Sequence, residues 1–294
     1  FQVHMSLRQH IQQRLSRQMD EREARATTLL LFESLFGFST ADVLIGRDDE
    51  LSDIQKEHLS ACVNRISHGE PVQYVLGQTF FCGLDLKVAP GVLIPRPETE
   101  ELVRMIASDH EWLQKLRILD IGTGSGCIAL ALKQLLPNAE VTGWDISTEA
   151  LAVAQENAKR TGLDVTSEQR DIFHQPMSDT TSEEQFDIIV SNPPYVCHSE
   201  AAQMEQNVLD HEPHTALFVP DDDPLLFYRA ITSFATAALK PGGRIYFEIN
   251  RRFPGEVSDL LKTSGFTDIK TYDDQFANPR FVSARYNLAF REKL

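Results

Sequence analysis

The sharpest chemical signal in this 294-residue chain is Ser191-Asn192-Pro193-Pro194-Tyr195, which directly follows the apolar run Phe186 to Ser191. Two prolines cannot continue a strand ladder, so the chain must leave its sheet there. They stiffen the loop and free the carbonyls of Asn192 and Pro193 to face whatever lies at the strand end. A planar amide or amine –NH2 is a weak nucleophile, because its lone pair is delocalised. Two fixed acceptors, the Asn192 side-chain oxygen and the Pro193 backbone oxygen, would hold both of its N–H groups. They would aim the nitrogen at an electrophile bound alongside, and Tyr195 would stack on the flat group. Catalysis of this kind is mainly positioning, helped by the electrostatics of a partly desolvated site. It needs no strong general base. The bland alternative is a rigid turn with a buried tyrosine.

A second signal is Ile118-Leu119-Asp120-Ile121-Gly122-Thr123-Gly124-Ser125-Gly126. It runs from a strand into a helix. Glycines let a backbone turn sharply and approach a ligand closely, and the helix start offers unpaired N–H groups. The spacing is G-x-G-x-G. That differs from the dinucleotide pattern G-x-G-x-x-G, and no Gly-Lys-Ser/Thr follows. A tight turn with no ligand is the other reading. The next strand ends in Trp144-Asp145, which places a carboxylate beside the first loop. It would accept two hydrogen bonds from a ribose diol, or else cap the following helix. Asp171-Ile172, after the third strand region, would meet an adenine ring, although Asp171 could simply be solvated.

The elements that must position these residues follow from periodicity. Residues 5 to about 68 are helical, with Leu7, Ile11 and Leu15 at helical spacing and a cluster of Leu29, Leu30, Phe32, Leu35 and Phe36. Ser52 and Gln55 form a capping box for a third helix. Thr79 to Val88 alternates on both sides of Gly83, which predicts a β-hairpin. From Arg117 onward the pattern is strand, turn, helix, repeated. Strands are expected at 117–121, 140–144, 186–191, 244–249, 268–272 and 281–287, and helices at 127–136, 148–160, 225–239 and 256–264. This alternation implies an α/β class protein with a doubly wound sheet and right-handed crossovers. The domains expected are a helical segment over 5–70, a hairpin connector over 71–95 and the α/β domain over 96–294. Phe1 to His4 read as the remnant of a cleavable tag, with Met5 as the native start.

Composition narrows the function. The formal net charge of -15 argues against a long phosphate-backbone footprint. No direct nucleic-acid contact is expected. Cys62, Cys82, Cys127 and Cys197 are scattered and read as reduced thiols of a cytoplasmic protein. No apolar run reaches membrane-span length. No catalytic metal is expected, because His198, His211 and His214 near Cys197 fit no standard zinc spacing.

Taken together, Ile-Pro-Arg-Pro-Glu-Thr-Glu at 94–100, the glycine loop at 120–126, Ser-Asn-Pro-Pro-Tyr at 191–195 and His-Glu-Pro-His-Thr-Ala-Leu at 211–217 resemble the HemK/PrmC family. The resemblance covers nearly all of the chain. It implies a seven-stranded Rossmann-like methyltransferase sheet with a small helical N-terminal domain. It implies transfer of a methyl group from S-adenosylmethionine to the glutamine amide nitrogen of the Gly-Gly-Gln motif in class I peptide-chain release factors. Carried over residue by residue, Gly122, Thr123, Gly124, Ser125 and Gly126 would cradle the methionine part of the cofactor. Asp145 would bind its ribose, Ile172 would lie near adenine, and Asn192 would reach both cofactor and substrate. Asn192, Pro193, Pro194 and Tyr195 would hold the acceptor amide, with Arg96 and Glu98 shaping the cleft. The helical prefix would recognise the partner, and a monomer is expected. Two stretches depart from the family pattern. Val219 to Pro224 replaces a glycine-containing turn, and Glu248-Ile249-Asn250 stands where Glu-Ile/His-Gly is usual. The alternatives are a ribosomal-protein glutamine and an adenine N6 as acceptor. The latter shares Asn-Pro-Pro-Tyr because its exocyclic amine is also planar.

Overall fold

The computed structural model describes residues 5–110, 115–175 and 185–287; the tag-remnant reading of residues 1–4 lies outside them. By its internal packing the chain divides into two compact units. One is Phe1–Gln78 with Glu205–His211, the other Thr79–Met204 with Glu212–Leu294.

The first unit is helical, with α1 (Leu7–Leu15), α2 (Glu21–Phe36), α3 (Thr40–Leu44), α4 (Asp53–Ser67) and α5 (Val72–Leu76). Its helices start where side chains satisfy the orphan amides of the first turn. Ser6, Asp20, Ser39 and Ser52 each accept from the amide three residues on. The expected capping box is present: Gln55 N donates to Ser52 Oγ at 3.3 Å and Ser52 N donates to Gln55 Oε1 at 2.9 Å. Leu15, Leu31, Phe32, Leu59 and Val63 form the core of the bundle. Helix α5 is not among the sequence expectations. It occupies five residues within the stretch read as connector, too few for periodicity to show.

The second unit opens with a hairpin, β1 (Gln78–Phe81) and β2 (Leu84–Lys87), followed by α6 (Pro97–His110). Then come β3 (Arg117–Ile121), α7 (Cys127–Leu135), β4 (Glu140–Asp145), α8 (Thr148–Thr161), β5 (Val165–Gln169) and β6 (Phe186–Ser191). A short parallel pair, β7 (Val196–Cys197) with β8 (Phe218–Val219), brackets in sequence two small helices, α9 (Gln206–His211), which belongs to the first unit, and α10 (His214–Leu217). The chain finishes with α11 (Leu226–Ala238), β9 (Leu239–Glu248), α12 (Pro254–Thr263), β10 (Phe266–Asp273) and β11 (Pro279–Tyr286). α6 was absent from the sequence expectations, although Leu102, Val103 and Ile106 give it a buried face.

The seven-stranded sheet has the order β10-β11-β9-β6-β3-β4-β5. β11 runs antiparallel to both of its neighbours, and the other pairs are parallel. Side chains alternate between its two faces. Ile118, Val141, Ile188 and Val190 pack with α6 and α7, whereas Leu119, Ile189, Ile245 and Phe247 pack with α11 and α12. From central β3 the chain winds outward through β4 and β5, then crosses to β6 and winds the other way. The strand order therefore reverses between β3 and β6. A crevice opens at such a point, outside the carboxyl ends of the strands, because the two connections leave on opposite faces. Register makes the ends level, since Ile121 pairs with both Trp144 and Ser191. Gly122 and Asn192 begin the loops that leave this common edge, and Asp145 is the last residue of β4 beside them.

Candidate active site

The glycine loop is anchored from behind. The amides of Gly122 and Thr123 both donate to Trp144 O, at 2.8 and 2.9 Å. Thr123 Oγ1 donates to the buried Asp120 carboxylate at 2.7 Å. Buried Asn157 donates to Ser125 O at 2.9 Å and to Lys87 O at 3.0 Å, clamping the loop to the hairpin. Gly122 and Gly124 have φ of 76° and 56°, a region that L side chains avoid. A Cβ at either position would meet no atom within 4 Å, so both face open space. Gly143, one strand over, is needed for a different reason. A Cβ there would lie 2.7 Å from Thr123 Oγ1.

Asp145 holds the loop to the neighbouring strand. Its Oδ2 accepts from Gly124 N and its Oδ1 from Ser147 N, each at 2.9 Å. The helix-capping alternative belongs to Ser147, whose Oγ accepts from Ala150 N at 3.1 Å. Burial pushes the Asp145 carboxyl up, and the two amides oppose that shift. Fully buried Asp120 is pushed up further, to about 7, by burial first and by the Asp145 charge among lesser causes.

A cleft of about 460 Å³ opens over these loops. Gly122, Gly124 and Asp145 line one stretch of it. Ile146, Ile172, Phe173 and Phe227 line an apolar end, where the Phe173 and Phe227 rings stand 5.1 Å apart. Thr123, Ser125 and Gly126 do not line the cleft. Thr123 and Ser125 are buried behind it, and Gly126 packs toward Ala154. Asp171 lines the cleft, but its carboxylate accepts from Phe173 N at 3.0 Å and from His174, building its own turn. Hydrogen bonding to His174 holds it below the usual carboxylate range.

Beside the cleft is a recess of about 50 Å³, lined by Arg96, Asn192, Pro193, Tyr195, Leu217 and Glu248 among others. Asn192 and Pro193 line both spaces, so they form the wall between them. Pro194 lines the cleft alone. Glu98 lines neither; burial raises the Glu248 carboxyl, and the Glu98 charge is the last of the causes acting on it. Tyr195 is not a free stacking platform at its hydroxyl end, because its Oη donates to Glu248 Oε1 at 3.0 Å. Burial, and then the Glu248 charge, push the phenol well above its ordinary range.

Sequence reading missed three residues that build this recess. Glu212, almost fully buried, accepts from Ile94 N at 3.0 Å and from Arg96 at 2.7 Å, fixing the loop that carries Arg96. Thr99 Oγ1 donates to Oε2 of the recess-lining Glu248 at 2.7 Å. The histidine motif 211–217 pointed at Glu212 without saying what it holds. The two departures from the family pattern also have local explanations. Asn250 Nδ2 donates to Tyr195 O at 2.9 Å and to Glu200 Oε2 at 2.8 Å. Asp223 N donates to Pro220 O at 3.1 Å to close the second stretch's turn, Asp221 accepts from Ser199 N at 2.9 Å, and Asp223 pairs with Arg229. Among the described residues, no group of three or more His, Cys, Asp or Glu is placed to hold a metal ion. None of their helices is long and apolar enough to cross a membrane.

Comparison with known proteins extends this geometry. Residues 113–275 match the family model of a methyltransferase domain, and residues 6–77 that of a PrmC N-terminal domain. The release factor glutamine methyltransferase of Bacteroides thetaiotaomicron is 42% identical over 275 residues, spanning 94% of this chain and 97% of that one. Its counterpart from Streptococcus pneumoniae is 40% identical, spanning 93% and 95%. Among solved structures, a methyltransferase from Pyrococcus furiosus superposes with a TM-score of 0.50 at 19% identity, over 78% of this chain and 99% of that one. The Thermus thermophilus 16S rRNA N2 G1207 methyltransferase, in complex with AdoMet and guanosine, gives a TM-score of 0.50 at 21% identity, over 71% and 50%. These two likenesses are of fold.

Proposed function

The chain belongs to the release factor glutamine methyltransferase family, and from that premise we propose that it methylates the glutamine side-chain amide nitrogen in the Gly-Gly-Gln motif of class I release factors. Its methyl donor is S-adenosylmethionine, which supplies an electrophilic methyl on a positively charged sulfur.

The cleft fits that donor. In this reading the open backbone of Gly122 and Gly124 takes the methionine end, where any side chain would fill the space. Thr123, Ser125 and Gly126 hold that backbone in shape. Asp145 accepts from the ribose diol with the lone pairs its two amides leave over. Ile172, with Ile146 and Phe173, flanks the adenine.

The observation that carries the reading is the shared wall. Asn192 and Pro193 border the cleft on one side and the recess on the other. An amide in the recess would give one N–H to the Asn192 side-chain oxygen and the other to the Pro193 carbonyl. Its nitrogen would then face the cleft. Pro194 and Tyr195 keep the loop rigid, and Arg96 helps line the recess. No side chain need remove a proton first, and the phenol of Tyr195 stays protonated. The work is orientation of a poor nucleophile.

The helical prefix, residues 5–70, recognises the partner protein in this account, and the enzyme acts in the cytoplasm as a monomer. A net charge of -15 supports a protein partner over direct nucleic-acid binding. The test is incubation with labelled cofactor and, in parallel, a release factor, a ribosomal protein and DNA. Label on the release-factor glutamine alone is expected. Label only on the ribosomal protein, or on adenine, would replace this acceptor with that one.

A further inference from the structure

The recess contains a carboxylate that the proposed mechanism does not use. Glu248 is 1% exposed, at the end of β9. Burying a carboxylate is costly unless charge and hydrogen bonds compensate it. Its oxygens are engaged by two hydroxyls, Thr99 Oγ1 on Oε2 at 2.7 Å and Tyr195 Oη on Oε1 at 3.0 Å. No ion pair joins it to a cation among the described residues. Arg280, the nearby cation, is spent on Asp274, which takes its Nε and Nη2 at 3.2 Å. A well-packed apolar side chain would serve the fold here at lower cost. Burial raises this carboxyl above its ordinary range, and buried carboxyls shifted in this way cluster at functional sites.

What the carboxylate controls is Tyr195. The single hydroxyl proton of Tyr195 goes to Glu248, and Arg280 Nη1 approaches its oxygen at 3.5 Å. The backbone is pinned as well, because Asn250 Nδ2 donates to Tyr195 O at 2.9 Å. The two pins are joined to each other. Tyr228 Oη donates to Glu248 O at 3.1 Å and accepts from Asn250 N at 3.3 Å. Tyr195 is thus held at both ends by the segment Glu248 to Asn250, three residues along the chain from Asn192. Its hydroxyl, committed to Glu248 and faced by Arg280, is not available to the acceptor. What Tyr195 offers the recess is the position of its ring, and Glu248 sets that position.

We propose that Glu248 is a positioning residue for methyl transfer, acting through the Tyr195 hydroxyl to fix the recess wall against which the acceptor amide lies. Thr99 is the second anchor of the same carboxylate. This explains why a threonine in the Pro-Glu-Thr-Glu segment, far away in sequence, belongs to the site. The proposal rests on the acceptor reading above.

The experiment is a double-mutant cycle on the single-turnover rate, using wild type, Glu248→Gln, Tyr195→Phe and the double variant, with cofactor affinity measured in each. An amide at 248 keeps the volume but has one acceptor oxygen, so it cannot take both hydroxyls. Each single variant should bind cofactor like wild type and turn over roughly tenfold or more slowly. The double variant should be no slower than the slower single, because both remove one interaction. Losses that multiply would overturn the proposal, since Glu248 would then act independently of the hydroxyl. So would a Glu248→Gln rate within about twofold of wild type. If Glu248→Gln melts early, Thr99→Val removes the other anchor and must show a rate loss that likewise fails to add to that of Tyr195→Phe. Wild type in the same assay separates the two readings. Absence of wild-type labelling removes both, whereas labelling with insensitive variants removes this one alone.

Discussion

Glu212 and Arg96, 116 positions apart in sequence, meet in a 2.7 Å ion pair, and the same carboxylate takes the Ile94 amide at 3.0 Å. One buried side chain therefore fixes the loop that carries both the cleft-lining Leu93 and the recess-lining Arg96. Glu212→Ala leaves the Ile94 amide buried and unpaired and should cost about 2 kcal/mol of stability. It should also raise the acceptor KM, because Arg96 loses its tether. Urea unfolding and steady-state kinetics check this. An unchanged midpoint with an unchanged KM would show that the loop is held by its apolar contacts instead.

Asp145→Ala removes the acceptor of two loop amides as well as the proposed ribose contact. Loss of a charge-assisted pair should weaken cofactor binding by roughly 1.5–3 kcal/mol. Asp145→Asn should fall between the two, because its one oxygen can serve only one of the amides. Calorimetry that found wild-type affinity in Asp145→Ala would remove this residue from the cofactor site.

Asp120 makes a pH prediction. Burial raises its carboxyl from 3.8 to about 7 in the folded chain. Between those values the unfolded chain releases a proton that the folded chain keeps. The group's contribution to stability therefore falls as pH rises through that window, by on the order of 4 kcal/mol at most, and is level above it. Asp120→Asn cannot titrate. The stability difference between the cofactor-free variant and wild type, followed by urea unfolding from pH 5 to 8, should shift in favour of the variant with rising pH and then flatten. Parallel profiles would mean that Asp120 is not proton-linked to folding.

Much of this was legible in the sequence where short-range physics decides. Phe186 to Ser191 is apolar but for Asp187 and Ser191 and is followed by Asn192 and two prolines, so its strand is bounded by composition alone. Arg117 to Ile121 is bounded in the same way by glycines. Asn192 and Gly122 could be singled out because each begins the loop after such a strand, and Asp145 because it ends the next one. The bonds between distant residues were not legible. Thr99 and Glu248 lie 149 positions apart and Asn157 and Lys87 lie 70 apart, and no local pattern marks a buried polar side chain whose partner is so far away. Thr123 and Ser125 show how little a loop motif says about side-chain direction. Their place in a ligand loop suggested contact, yet the positive φ of the glycines turns these neighbouring side chains into the protein. The helix α6 was hidden by its own motif, since Pro97 and the acidic first turn read as chemistry before they read as a helix start.

The central claim is that Asn192 and Pro193 hold the acceptor amide between recess and cleft. Its most direct test is single-turnover methylation of a release factor carrying Gly-Gly-Gln, by wild type and by Asn192→Ala, with a Gly-Gly-Glu release factor as control. Removing the side-chain acceptor leaves one amide N–H unpaired, at a cost of roughly 1–3 kcal/mol. Misaligned attack adds to this, for a rate loss of about a hundredfold. Wild type should label the glutamine form and not the glutamate form, and Asn192→Ala should lose most of that label while still binding cofactor. A near wild-type rate in Asn192→Ala would contradict the account.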